Sequence, residues 1–188
     1  MTTATKITIV RILLIPVFVG LAIYYGESIK RGDPQPAFRW AAVITFLVAA
    51  ASDALDGWVA RRFNQSSRLG TILDPIADKG LMLSAVITLS FTHWGTYFPV
   101  WYAVLIIARD VILVIGALMM NQVLDYVHIE PHWTGKLTTA LQLIAVGWLM
   151  FQLPGLTYVV IAAALFTLIS AFLYVKEGLR QVHEGGHT

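Results

Sequence analysis

The sequence predicts an all-α integral membrane protein, with six transmembrane helices in one bundle and a polar active-site cavity near the cytoplasmic side. Three observations lead there. Hydrophobic residues make up 57% of the 188-residue chain and charged residues only 13%, where a soluble domain carries roughly a quarter. The apolar residues gather in six long runs. Four aspartates lie inside or at the ends of two of those runs.

A membrane-crossing helix needs about 20 mostly apolar residues, and lipid offers its backbone no partners, so each run should be helical. The runs are Ile7–Tyr25, Phe38–Ala60, Thr71–Thr92, Phe98–Asn121, Lys136–Gln152 and Leu156–Val175. The first is longer than a signal-peptide core and has no small-residue cleavage site before Gly26, so it reads as a retained helix. Between the first two runs, Gly32, Pro34 and Pro36 break the pattern. His93 to Pro99 carries no Lys, Arg, Asp or Glu; Leu153–Pro154–Gly155 is a tight turn; Asp125 to Pro131 is a polar loop. Residues 1–182 read as a single domain, and 183–188 as a disordered tail.

Lys and Arg in the loops set the orientation. Lys6 and Arg11, Arg61, Arg62 and Arg68, and Lys176 and Arg180 place both termini in the cytoplasm. Lys30, Arg31 and Arg39 dissent, falling on the outer side. The net charge of +2 is too small for a nucleic-acid binder, and the absence of cysteine excludes disulfides and thiolate metal sites. The five histidines are scattered and read as no ligand set, and the Trp and Tyr residues read as interfacial anchors.

Asp53 and Asp56 lie near the end of the second run, and Asp74 and Asp78 at the start of the third. Spacings of three and four put each pair on one helical face, and the short link Arg62 to Leu69 makes the two helices neighbours. Four converging carboxylates repel one another and are costly to desolvate, so positive charge must sit among them. One alternative is ion pairing with Arg61, Arg62, Arg68 and Lys79 at solvated helix ends. The other is metal: oxygen ligands without His or Cys suit Mg²⁺, Mn²⁺ or Ca²⁺ rather than Zn²⁺, and two such ions can clamp a phosphoryl group. Gly57, Ala60 and Gly70 would let a ligand approach the backbone, and Arg61 is placed to neutralise a phosphate. Pro75 agrees with a helix starting near Leu73.

The run Asp53-Ala-Leu-Asp56-Gly57-Trp-Val-Ala60-Arg61, then eight residues, then Gly70-Thr-Ile-Leu-Asp74-Pro-Ile-Ala-Asp78 resembles the signature of the CDP-alcohol phosphotransferases (CDP-alcohol phosphatidyltransferases). All eight signature positions match. The resemblance implies transfer of a phospho-alcohol from a CDP-linked donor to an acceptor hydroxyl, with release of CMP. It implies two metal ions, Mg²⁺ or Mn²⁺, on Asp53, Asp56, Asp74 and Asp78, with Asp78 also the catalytic base. It implies a CDP pocket of Asp53, Gly57, Ala60, Arg61, Gly70 and Asp74, and a homodimer in the cell membrane.

The branch resembled is that of phosphatidylglycerophosphate and cardiolipin synthases. Thr5-Lys-Ile-Thr8-Ile-Val-Arg11 resembles its Asn-x-x-Thr-x-x-Arg opening, with Thr5 in place of Asn. Arg61 to Gly70 and Gly135-Lys136-Leu-Thr-Thr-Ala-Leu-Gln142 are similar to the glycerophosphate enzymes. The uncharged stretch after Arg109-Asp110 and Ser170-Ala-x-x-Tyr174-x-x-x-Gly178 are closer to cardiolipin synthases. Arg109, mid-helix in an apolar run, and Lys136 are the candidate grip on the acceptor's phosphate. The expected donor is CDP-diacylglycerol and the expected acceptor glycerol 3-phosphate, with phosphatidylglycerol the alternative. A metal-ion carrier using the same carboxylates is the reading from another class, but it would not need Gly57, Ala60-Arg61 and Gly70 at these intervals.

Overall fold

The computed structural model describes residues 3–63, 68–123 and 133–185, with the backbone alone described at 3–6, 53–63, 68–76, 78, 117–123, 133, 178–179 and 181–185. These residues form six α-helices: α1 Thr3–Lys30, α2 Pro36–Phe63, α3 Arg68–Phe91, α4 Val100–Val123, α5 Trp133–Met150 and α6 Leu156–Gly185. No strand occurs among them. Two stretches, Ile7–Lys30 and Leu156–Glu177, are long and apolar enough to cross a membrane; the apolar stretches Pro36–Ser52 and Lys79–Phe91 are shorter. Outward faces are apolar too, with Leu13 63% and Phe172 69% exposed, which a protein surrounded by water rarely allows in quantity.

Every expected helix is present, and most run past their expected ends. Gly26 does not stop α1, which continues to Lys30. Its role is spatial: a Cβ at Gly26 would lie 3.0 Å from Thr92 Cβ and 3.4 Å from the His93 amide nitrogen. The break falls at Gly32, where φ is +76°, a conformation that glycine adopts at no steric cost. Pro75 is not in a first turn, because α3 already begins at Arg68. A proline there removes one helix hydrogen bond, which the helix absorbs, as α1 absorbs Pro16. The α2–α3 connection shrinks to residues 64–67, outside the described residues, as is the whole of the expected loop Asp125–Pro131. Helix α6 continues through Gly185, into the stretch expected to be a disordered tail.

The chain divides into two compact units. In the first, residues 1–98 with 149–153, α1 packs on α2 and α3. The Phe18 and Phe46 rings meet at 5.5 Å and those of Tyr24 and Phe38 at 5.8 Å, so α1 and α2 run antiparallel. Between them lie the fully buried Ala22, Ala42 and Ala49. Small side chains bring helices close, which matters where lipid removes the hydrophobic drive to associate. Trp94 is fully buried, donates from Nε1 to the Ala22 carbonyl at 3.2 Å and stands edge-on to Tyr25.

One side chain ties four parts of this unit together. Gln152 has a positive φ of 55°, uncommon for a residue with a side chain. Its Nε2 donates to the Trp94 carbonyl at 2.7 Å and to the Tyr25 hydroxyl at 3.0 Å. Its Oε1 accepts from Arg39 Nη1, and the Arg39 guanidinium also lies 5.1 Å from the Trp40 ring centre. Arg39, one of the three cations that dissent from the charge rule, is therefore held by polar and aromatic partners, and Lys30 pairs with Glu27 at 2.9 Å.

In the second unit, residues 99–148 with 154–188, α4 packs on α6. Helix α5 is joined to α6 by hydrogen bonds from Thr138 Oγ1 to the Phe166 carbonyl at 3.2 Å and from Gln142 Nε2 to Thr167 Oγ1 at 3.4 Å. Buried hydroxyls elsewhere return to their own helix, as Ser90 does to the Val86 carbonyl and Thr167 to the Ala163 carbonyl, both at 2.7 Å. That back-bonding satisfies a polar group in an apolar setting.

The close approach at Gly26 can be tested against Gly20, where an added Cβ meets nothing within 4 Å. Gly26→Leu should lose about 1–3 kcal/mol to overpacking, read as a lower Tm in detergent, whereas Gly20→Ala should hold or raise it. Equal Tm values for both variants would contradict the packing.

Candidate functional site

Two groups of residues answer the sequence expectations, one in each unit. In the first unit the backbone of α2 is helical through Asp53, Asp56, Gly57, Ala60 and Arg61, and that of α3 through Gly70, Asp74 and Asp78. The i,i+3 and i,i+4 spacings therefore do lie on helices, each pair on one face. Helices α2 and α3 are in contact. The side chains of all eight residues lie outside the described residues, and among the described ones no three His, Asp or Glu side chains gather. The donor set suits a hard divalent cation: carboxylates one helical turn apart, on adjoining helices, with no nitrogen or sulfur ligand between them.

Helix α1 supplies two residues that the sequence reading knew only as a branch mark and, for Arg11, as a topological charge. Thr8 and Arg11 are both fully buried. They lie three residues apart, hence on one face, and that face continues through Ile15, Phe18 and Ala22. Ile15 Cδ1 comes within 3.4 Å of a Cβ built at Gly80 of α3.

The second group surrounds Arg109, whose side chain is 4% exposed. Adjacency in a helix argues against its pairing with Asp110, yet Nη1 meets Asp110 Oδ1 at 2.8 Å. Nη2 is 3.4 Å from Ser170 Oγ on α6. Nε, and Thr134 Oγ1 on α5, have no hydrogen-bond partner among the described residues. A Cβ at Gly135 would lie 3.0 Å from the Tyr174 hydroxyl and 3.7 Å from Arg109 Nη2.

Three helices thus meet at one guanidinium. Gly135 admits the arginine and the tyrosine together, which explains why a glycine precedes Lys136. Lys136 itself is exposed, beside this cluster and not buried in it. Ser170 and Tyr174 entered the sequence reading only as marks of a branch. Their spacing of four, which puts both on one face of α6, was the signal that they act together. With one carboxylate, a long contact to Ser170 and an unused Nε, Arg109 retains donors for an anion.

The aspartate signature thus lies on adjoining helices of the first unit, and a buried arginine with spare donors lies in the second. The sequence pattern of CDP-alcohol phosphatidyltransferase matches residues 1–170, and the chain belongs to that family. It is similar to the CDP-diacylglycerol--glycerol-3-phosphate 3-phosphatidyltransferase of Shigella flexneri serotype 5b (strain 8401), with 35% identity over 178 residues and 92% of each chain covered. It is likewise similar to the protein of that name from Escherichia coli (strain K12), at 33% identity over the same coverage. Membership makes the chain an enzyme and removes the ion carrier.

Removing the partner of a buried cation costs about 3–5 kcal/mol. Asp110→Ala should approach that loss in thermal unfolding, and more than Arg109→Met, since the Asp110 side chain is 13% exposed against 4% for Arg109. The reverse order would mean that the ion pair does not hold α4.

Proposed function

We propose that this enzyme transfers the phosphatidyl group of CDP-diacylglycerol to glycerol 3-phosphate, giving phosphatidylglycerophosphate and CMP. The observation that carries the reading is the complete aspartate signature on α2 and α3, in a chain matched over 92% of its length by relatives named for that reaction.

The proposed chemistry uses two groups of residues, one in each unit. Asp53, Asp56, Asp74 and Asp78 hold two divalent ions, Mg²⁺ or Mn²⁺, which when bound neutralise the donor's diphosphate and stabilise charge on the departing phosphate. Gly57, Ala60, Arg61 and Gly70 line the nucleotide pocket with Asp53 and Asp74. Arg109 and Lys136 grip the acceptor's phosphate and orient its hydroxyl. Asp78 takes the hydroxyl proton as the oxygen bonds to the phosphatidyl phosphorus, and the bond from that phosphorus to the CMP oxygen breaks. CMP leaves with the electron pair, so atoms and charge balance.

The surrounding architecture is proposed in the same terms. Residues 1–182 form one domain of six membrane-spanning helices, and the protein is a homodimer. Both termini and the polar cavity lie on the cytoplasmic side, where CDP-diacylglycerol and a water-soluble acceptor can meet. Apolar outward faces and the pairing of Arg39 and Lys30 support that placement.

The deciding experiment gives purified protein CDP-diacylglycerol and Mg²⁺ with glycerol 3-phosphate, phosphatidylglycerol, inositol phosphate or serine, and identifies the lipid formed. Phosphatidylglycerophosphate is expected. Cardiolipin would move the acceptor to phosphatidylglycerol. Chelation should stop CMP release, Mg²⁺ or Mn²⁺ should restore it, and Asp78→Asn should lower it about 10²–10⁴-fold. Arg109→Ala should raise the KM for glycerol 3-phosphate about tenfold, equivalent to ~1.4 kcal/mol, and change the donor's KM far less. Equal effects on both substrates would remove Arg109 from the acceptor end.

A further inference from the structure

Arg11 is fully buried in a helix that packs on the two aspartate-bearing helices. A guanidinium in that setting must have an anion or polar partners within reach. The helix register identifies which one. The Phe18 and Phe46 rings meet at 5.5 Å, and the Tyr24–Phe38 pair fixes the antiparallel direction. Arg11 precedes Phe18 by seven residues, and Asp53 follows Phe46 by seven. Seven residues are close to two full turns. Position 11 therefore lies on the Phe18 face of α1 and position 53 on the Phe46 face of α2, at one depth. The same count puts Thr8, ten residues before Phe18, level with Asp56, ten after Phe46. Helix α3 agrees in depth. Ile15 abuts Gly80 and Gly26 abuts Thr92, so α1 and α3 run parallel. Four residues before Ile15, Arg11 is level with Ile76, between Asp74 and Asp78.

We propose that Arg11 is a positioning residue: it pairs with Asp53 across the α1–α2 contact and aims that carboxylate for metal. The proposal rests on the metal reading of the aspartates. It assigns the arginine no contact with substrate. Acting through a ligand, it should alter metal affinity in a direction that simple charge does not predict. Removing a nearby cation would by Coulomb's law tighten binding of a divalent ion. Removing the group that orients a ligand weakens it, by about 10–100-fold for comparable partners of metal ligands.

The test uses the full chain in lipid nanodiscs, with Mn²⁺ binding followed by electron paramagnetic resonance. Arg11→Met should weaken Mn²⁺ binding by about 10–100-fold, and Arg11→Lys should recover part of it, since lysine keeps the charge but loses the planar fork. If Arg11→Met does not fold, Arg11→Lys and Arg11→Gln carry the comparison. Unchanged or tighter binding would overturn the positioning role. Thermal unfolding in chelator then tests the pair without metal. The Tm loss of Arg11→Met should largely vanish in an Asp53→Asn background, as coupled neighbours require. Additive losses with normal Mn²⁺ binding in the wild type would overturn the pairing alone. A wild type that binds no Mn²⁺ would overturn the metal reading, and the positioning role with it.

Discussion

A charge buried in an apolar helix must be answered from within the protein. This chain has two fully or nearly fully buried arginines among its described residues, Arg11 in one unit and Arg109 in the other. Around Arg109 the answer is visible: Asp110 on the same helix, Ser170 from α6, and the opening that Gly135 leaves for Tyr174. Helices that share no large hydrophobic drive in lipid are located by such polar contacts and by close-packed small residues. Ala22, Ala42 and Ala49 between α1 and α2, and the hydroxyls that return to their own helix carbonyls, complete that economy.

The proposed roles divide the chemistry between carboxylates and a cation. An enzyme that joins two phosphate-bearing substrates has to hold like charges near one another. Metal ions on carboxylates suit a diphosphate whose leaving group must be stabilised as it departs. A fixed guanidinium suits a phosphate that only has to be oriented. In the proposed scheme carboxylates serve one anion and a cation the other, so the two do not compete for the same groups.

Much of this was legible in the sequence, for identifiable reasons. Six helices followed from apolar run length, since lipid leaves the backbone no alternative. The aspartates declared themselves because acids are rare in such runs and their spacing is helical. Helix ends were less legible. The first run was expected to end at Tyr25, yet α1 continues past Gly26 to Lys30, and Pro75 reads as a first-turn residue until α3 is seen to begin at Arg68. Arg11 read as a topological charge and a branch mark, because only packing reveals that it is buried. Ser170 and Tyr174 are ordinary residues in sequence and acquire meaning when α4, α5 and α6 meet.

The Gln152 contacts have a consequence for assembly. Its amide joins Tyr25, Arg39 and Trp94, residues that lie 127, 113 and 58 positions earlier in the chain. A chain made from its N-terminus presents α1, α2 and α3 long before residue 152 exists. The first unit therefore spends much of synthesis with Arg39 and the Trp94 carbonyl lacking this partner. Its fastening arrives only with residues 149–153, the last part of that unit to be made.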